Sequence, residues 1–328
     1  TKHEIYNAFG QWAVSPTVNL QAEIGKRNTD YGDIAMHFDP DDFDPALRNS
    51  LDVDTGRVGL RFTPNKNSTF LLSAIYADAD GMTHLEPVLD FGGGFVLDTV
   101  FDGLLDEEVY QYDAAYIYQQ DSFNVTAGAA YVDSDRLDTF TLSDVPLFFL
   151  DDLETEQIDL KDMRVYAYGN ITLLPGVIGT VGLSYQDYDQ DQVYNYTDLT
   201  GFFPPSSAVN KLDFDELNPK LGIRAAVTDN LELRAAYFKV VKPALSSNRT
   251  LEPTQVAGFN QFFDDPNATK STRYGIGLDG NLSPAVSYGV EFTKREIDGL
   301  VSPLGGQPFY EDRKELLHRA YAYWTPTD

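Results

Sequence analysis

An antiparallel up-and-down transmembrane β-barrel is the architecture that three features of this 328-residue sequence predict. Apolar and polar residues alternate with period two in segment after segment. The segments pair across tight turns into hairpins. The connections come in two lengths, short within hairpins and long between them, which is the asymmetry of outer-membrane barrels.

The clearest unit is residues 218–243. Alternation runs from Lys220 to Val227, turns at Thr228-Asp229-Asn230, and resumes with Leu231, Leu233, Ala235 and Tyr237 on one face and Glu232 and Arg234 on the other. A strand with one apolar and one charged face suits a wall between hydrocarbon and water. Taken in order, the first hairpin joins 4–14 to 18–27 through Ser15-Pro16-Thr17. A polar loop over 28–50 follows, in which Pro40 and Pro45 discourage pairing. Residues 54–63 and 69–78 pair across 64–67. Residues 85–101, with Gly92 to Gly94, fit either a bent hairpin or a re-entrant loop.

Tyr110, Tyr112, Ala114, Tyr116 and Tyr118 alternate with polar residues through 108–119, and the return strand is 123–132. An acidic loop over 134–157 contains the apolar patch 145–150. Strands 163–173 and 177–186 turn at Leu174-Pro175-Gly176, and a polar loop over 187–211 leads into the 218–243 hairpin. A loop over 244–269, a hairpin of 273–282 and 286–294, a loop over 297–310 and a last strand 311–324 complete the chain. The strand total is about fourteen, with more expected in a complete barrel, and strands of about nine to eleven residues are what crosses hydrocarbon at a tilt. The chain reads as a single barrel domain, incomplete at both ends: it opens inside a strand, and Pro326-Thr327-Asp328 opens a turn toward another.

Composition narrows the function. A formal charge of -27 disfavours nucleic acid as a partner. Without cysteine there are no disulfides, thiolate metal sites or cysteine nucleophiles. Mean hydropathy is -0.31 and no apolar run is long enough for a transmembrane helix, which leaves a strand-built membrane protein open. His3, His37, His84 and His318 form no metal motif, and no hydrolase, zincin or phosphate-loop motif occurs, so no enzyme is expected.

Period two assigns the candidate site. Arg57, Arg61, Asp113, Arg164, Arg224, Glu232, Arg234, Arg273, Asp279, Glu291 and Arg319 alternate with apolar neighbours and are expected to face a hydrated lumen. There they could form a charged ladder that selects solutes, or hold an inward loop. Tyr110, Tyr118, Tyr166, Tyr168, Tyr185, Tyr188, Tyr237, Phe292, Tyr321, Tyr323 and Trp324 are expected in interfacial girdles, with a sugar-stacking slide as the alternative for Tyr166, Tyr168, Tyr321 and Tyr323. Asp39, Asp41, Asp42 and Asp44, and Asp187, Asp189 and Asp191, carry the oxygen ligands calcium takes. Neither group has EF-hand spacing, so solvated acidic loops are the plainer expectation and no cofactor is required.

The wording of the opening hairpin resembles the barrel of TonB-dependent outer-membrane receptors. The matching residues are Pro219, Lys220, Leu221 and Gly222, then Thr228, Asp229 and Asn230, then Leu233, Arg234, Ala235 and Ala236, then Lys242 and Pro243. Leu251-Glu252-Pro253 stands where those receptors place a similar phrase. The resemblance implies a ligand-uptake channel in the outer membrane of a Gram-negative bacterium, in contact with lipid and lipopolysaccharide and with an energy-coupling partner. Nothing in residues 1–54 resembles the plug of that family, and the family barrel has more strands. Residues 251–265 also resemble a phrase of outer-membrane proteins that join periplasmic tetratricopeptide repeats to a barrel. That likeness implies a plugless export or diffusion channel, for example for polysaccharide. A non-conducting structural or binding barrel is the third possibility.

Overall fold

The computed structural model describes residues 2–33, 44–90, 96–144, 150–246 and 249–326. Its strands are β1 (Lys2–Ser15), β2 (Val18–Gly32), β3 (Arg48–Asn65), β4 (Ser68–Leu85), β5 (Val88–Asp90), β6 (Val96–Gln119), β7 (Phe123–Asp144), β8 (Asp151–Leu174), β9 (Val177–Asp198), β10 (Ser206–Thr228), β11 (Leu231–Val241), β12 (Gln255–Val256), β13 (Phe259–Asn260), β14 (Lys270–Ser283), β15 (Val286–Val301) and β16 (Phe309–Trp324). All but β12 and β13 form one 14-stranded sheet. Along it each strand is hydrogen-bonded to the next in sequence, except that β5 pairs only with β6 and β11 is followed by β14. The all-β, up-and-down meander expected from the sequence is the observed one.

The outward face explains why the sheet sits in a bilayer. On every long strand it carries no charge from the short turn up to a first charged residue, such as Asp54 on β3, Asp78 on β4, Glu108 on β6, Lys161 on β8 or Asp187 on β9. The uncharged stretch is roughly the nine to eleven residues that span hydrocarbon. Its side chains stand free: Leu72, Val165 and Ile276 are each 50 % exposed, and no second protein layer covers Leu233. Aromatic neighbours, Phe62 with Phe70 and Tyr116, mark its lower edge near the short turns, and Tyr76 with Tyr110 its upper edge.

Beyond that upper edge the strands continue with the polarity of their faces exchanged. Outside, Asp54, Asp78, Glu108, Asp135, Asp159 and Asp191 lie directly opposite one another across β3, β4, β6, β7, β8 and β9. Inside, Val53, Ala79, Leu105, Val109, Val132 and Leu160 make an apolar wall. Several connections expected as long loops are therefore strand. Residues 134–144 belong to β7 and 151–157 to β8. Residues 187–198 extend β9 and 206–211 open β10, while 297–301 end β15. Strands of up to 24 residues replace the expected spans, because the projecting part needs no apolar outer face. Asp187, Asp189 and Asp191 thus alternate along the outer face of β9, not in a loop, and Lys211 reaches Asp189 at 2.9 Å. Residues 34–43, including Asp39, Asp41 and Asp42, residues 91–95 with the three glycines, 145–149, and Thr327 and Asp328 lie outside the described residues. Asp44 caps a turn, accepting from the Ala46 amide at 2.8 Å.

Candidate functional site on the inner face

Residues 242–269 leave β11, cross the inner face and return to β14. Their ends close on each other, with the Lys242 amide donating to Thr269 O at 2.8 Å and the Ala268 amide to Lys242 O at 2.9 Å. Midway the segment forms the β12–β13 hairpin, whose two turn residues, Ala257 (φ 46°) and Gly258 (φ 83°), are both left-handed as a tight hairpin turn requires. The wall is cleared for this tip by glycine. A Cβ on Gly222 would lie 2.6 Å from the Ala257 Cβ, and one on Gly275 would lie 2.5 Å from the Phe259 ring. Val256, Ala257 and Phe259 then pack with Tyr166, Tyr168, Ala236 and Phe238 in a buried cluster.

A polar network fixes the rest of the segment. Glu252, 4 % exposed, accepts a hydrogen bond from Tyr168 Oη at 2.6 Å and an ion-paired one from Arg164 at 3.2 Å. Gln261 donates to Tyr168 Oη at 3.1 Å and to Pro253 O at 2.6 Å. Asp162 accepts from the Ala244 amide at 2.9 Å, Gln111 accepts from the Ser246 amide at 2.8 Å, and Asp113 accepts from Gln111 at 2.7 Å. Arg249 reaches across to Glu23 on β2 at 2.8 Å, and Glu23 also pairs with Arg57 at 2.8 Å.

Under the hairpin lies a denser cluster. Arg234 holds Asp279 at 2.6 Å, Glu291 at 2.7 Å and Gly258 O at 3.1 Å. Arg273 bonds Asn260 O at 2.8 Å and Glu291 at 3.3 Å, and Arg319 meets Glu291 at 3.0 Å. Arg295 pairs with Asp265 and with Glu315. Guanidinium groups also sit over rings, Arg234 4.4 Å from the centre of Phe259 and Arg295 4.0 Å from that of Phe263. Each arginine is thus held both by carboxylates and by an aromatic face of the crossing segment.

By strand register, all eleven charged positions named from the sequence fall on this one face. Arg57, Asp113, Arg164, Arg234, Arg273, Asp279, Glu291 and Arg319 join the network just described. Arg224 pairs with Glu232 at 2.9 Å away from the segment, and Arg61 contacts Thr63. Tyr166, Tyr168 and Tyr188 are not girdle residues. They are buried on the inner face (2 %, 3 % and 0 % exposed), so Tyr166 and Tyr168 offer no surface for a sugar to slide on. Tyr321 is also inward, hydrogen-bonded to Asp279.

Sequence reasoning missed Glu23, Gln111, Asp162, Arg249, Glu252, Gln261 and Arg295. Period two would have found Glu23, Gln111, Asp162 and Arg295, which stand on the same faces as the residues it did select. Glu252 and Gln261 had no signal, since a loop has no period. Among the described residues no group of three or more His, Asp and Glu side chains converges as a metal site.

Outside the membrane, His84 on β4 meets Asp102 on β6 at 2.7 Å, a hydrogen bond that raises the imidazole pKa above its ordinary 6.5. Asp198, at the end of β9, accepts from Thr200 and from the Phe203 amide, which holds its carboxyl below the usual range.

Comparison with known proteins agrees with this architecture. The sequence profile described as TonB dependent receptor-like, beta-barrel, matches residues 39–310. The fold is similar to the ferric yersiniabactin uptake receptor FyuA of Yersinia pestis (TM-score 0.69, 13 % identity, covering 98 % of this chain and 49 % of that one). It is similar to the ferric-catecholate import receptor Fiu of E. coli K12 in its closed form (0.66, 11 %, 99 % and 56 %). It is likewise similar to the alcaligin outer-membrane receptor FauA of Bordetella pertussis (0.60, 14 %, 98 % and 50 %). The chain therefore spans about half the length of these receptors. A search of curated protein sequences finds no match. Membership of this family supports a non-catalytic role and places the barrel in the outer membrane of a Gram-negative bacterium. The chain belongs to the TonB-dependent-receptor-like β-barrel family.

Proposed function

We propose that this chain is the wall of an outer-membrane uptake receptor in which residues 242–269 form a built-in constriction. The observation that carries the reading is the anchoring of that segment by buried charge, Glu252 on Arg164 and Gly258 on Arg234, along a face that would otherwise be an open wet conduit. An open diffusion channel has no use for a segment held in this way, because buried pairs are costly unless every partner is in place. A receptor does, since passage is then restricted to a ligand that is bound and moved. An energy-coupling partner in the periplasm follows from the same reading. The solved relatives named for ferric siderophores support uptake as the direction of transport.

Planar-bilayer conductance of the purified protein tests this. The wild type is expected to show little current, and deletion of residues 251–265 to open stable channels. Large, stable currents from the wild type would overturn the constriction and favour a plugless diffusion or export channel. No current from either protein would favour a structural barrel.

A further inference from the structure

Above the constriction, β2, β3, β4, β6, β7 and β8 and the start of the crossing segment enclose a cavity of about 640 Å³. We infer that this cavity binds an uncharged amphipathic small molecule, with its apolar body on the strand wall and a hydroxyl or amide end at Ser246. The inference names the ligand class of the proposed receptor and rests on that reading only for what happens to the ligand after it binds.

The volume is in the range of small-molecule sites. The wall is apolar where an outer-membrane conduit would be wetted: Val53, Ala79, Leu105 and Val109 line it and are only half-buried. Covering such surface favours a ligand with an apolar body. One polar group is left for it. Ser246 is 5 % exposed and lines the cavity, its amide is bonded to Gln111, and its hydroxyl has no partner. A buried hydroxyl without a hydrogen bond is a place where a ligand's own hydroxyl or amide is favoured.

The charges at the rim are already matched. Glu23 is held between Arg57 and Arg249, so neither arginine is free for an anion. Glu107, engaged by Ser134, adds negative potential in a chain of formal charge -27, which disfavours an anionic ligand further.

The absence of cysteine makes the test direct. An Ala79→Cys variant in an amphipathic polymer would be labelled with N-ethylmaleimide in the presence of phenylnaphthylamine or of anilinonaphthalene sulfonate. The two probes share a ring system and differ by one sulfonate. The neutral probe is expected to slow labelling about tenfold at roughly ten times its dissociation constant, and the sulfonate to leave the rate unchanged. A Lys66→Cys control at the β3–β4 turn should respond to neither, and Leu105→Glu or Val53→Glu should abolish the protection. Equal protection by both probes, protection by neither, or equal slowing at the Lys66→Cys control would overturn the inference. Labelling needs no transport. A protein that binds the probe but conducts and imports nothing refutes the uptake reading alone, whereas one that imports its ligand without probe protection refutes this inference alone.

Discussion

Glu252 shows how one side chain decides whether the crossing segment stays seated. With Arg164 only 2 % exposed, replacing Glu252 by Ala leaves a buried guanidinium without its charge partner and costs the seat about 3–5 kcal/mol. Limited proteolysis should then cut within 251–265 in the Glu252→Ala variant and far more slowly in the wild type. His84 gives a second residue-scale expectation. Because its folded pKa is raised, its pairing with Asp102 stabilises the β4–β6 end fully below the ordinary value of 6.5 and is lost as pH rises through the folded value. An NMR titration should find its midpoint above 6.5, returning to the ordinary value in Asp102→Asn. At this scale the sequence revealed Arg234, Arg273 and Glu291, because a period of two assigns a face whatever the partner. It could not reveal that Glu252 would meet Arg164, since that contact depends on where a non-periodic segment lands.

Strands were legible where lipid dictated their outer face and illegible where water did. Between the short turns and residues such as Asp78 and Asp187, apolar residues must point out, so the alternation is strong and the hairpins were read with nearly the observed turns. Past those residues the same strands carry Asp outside and Val, Leu or Ala inside. That reads as polar sequence unless both faces are considered together, so long stretches of β7, β8 and β9 were taken for loops. The two zones predict opposite responses to one substitution. Val181→Arg, on the outer face of β9 in the uncharged stretch, should cost up to about 2–4 kcal/mol in unfolding from lipid vesicles. Asp159→Arg, on the projecting part of β8, should leave stability unchanged or raise it, since its cross-strand neighbours are Asp135 and Asp191.

Taken whole, the molecule is a two-zone wall with a fastened interior, and the family assignment fits both properties. Its meander topology was legible because every neighbour in the sheet is nearly the next strand in sequence, the simplest outcome of hairpins joined end to end. The jump from β11 to β14 hides the segment that matters most for passage. The projecting zone has a consequence of its own. Six carboxylates stand shoulder to shoulder from Asp54 to Asp191, and burial together with Asp159 holds the Asp135 carboxyl above the usual range. Like charges directly opposite on neighbouring strands repel, and dissolved ions shorten the reach of that repulsion. The urea midpoint of the reconstituted protein should therefore climb as sodium chloride is raised from about 0.01 M to 0.15 M, where the screening length falls from roughly 30 to 8 Å. A flat midpoint would show that the row is already neutralised. This rim would then hold its shape best in brackish surroundings and loosen in fresh water.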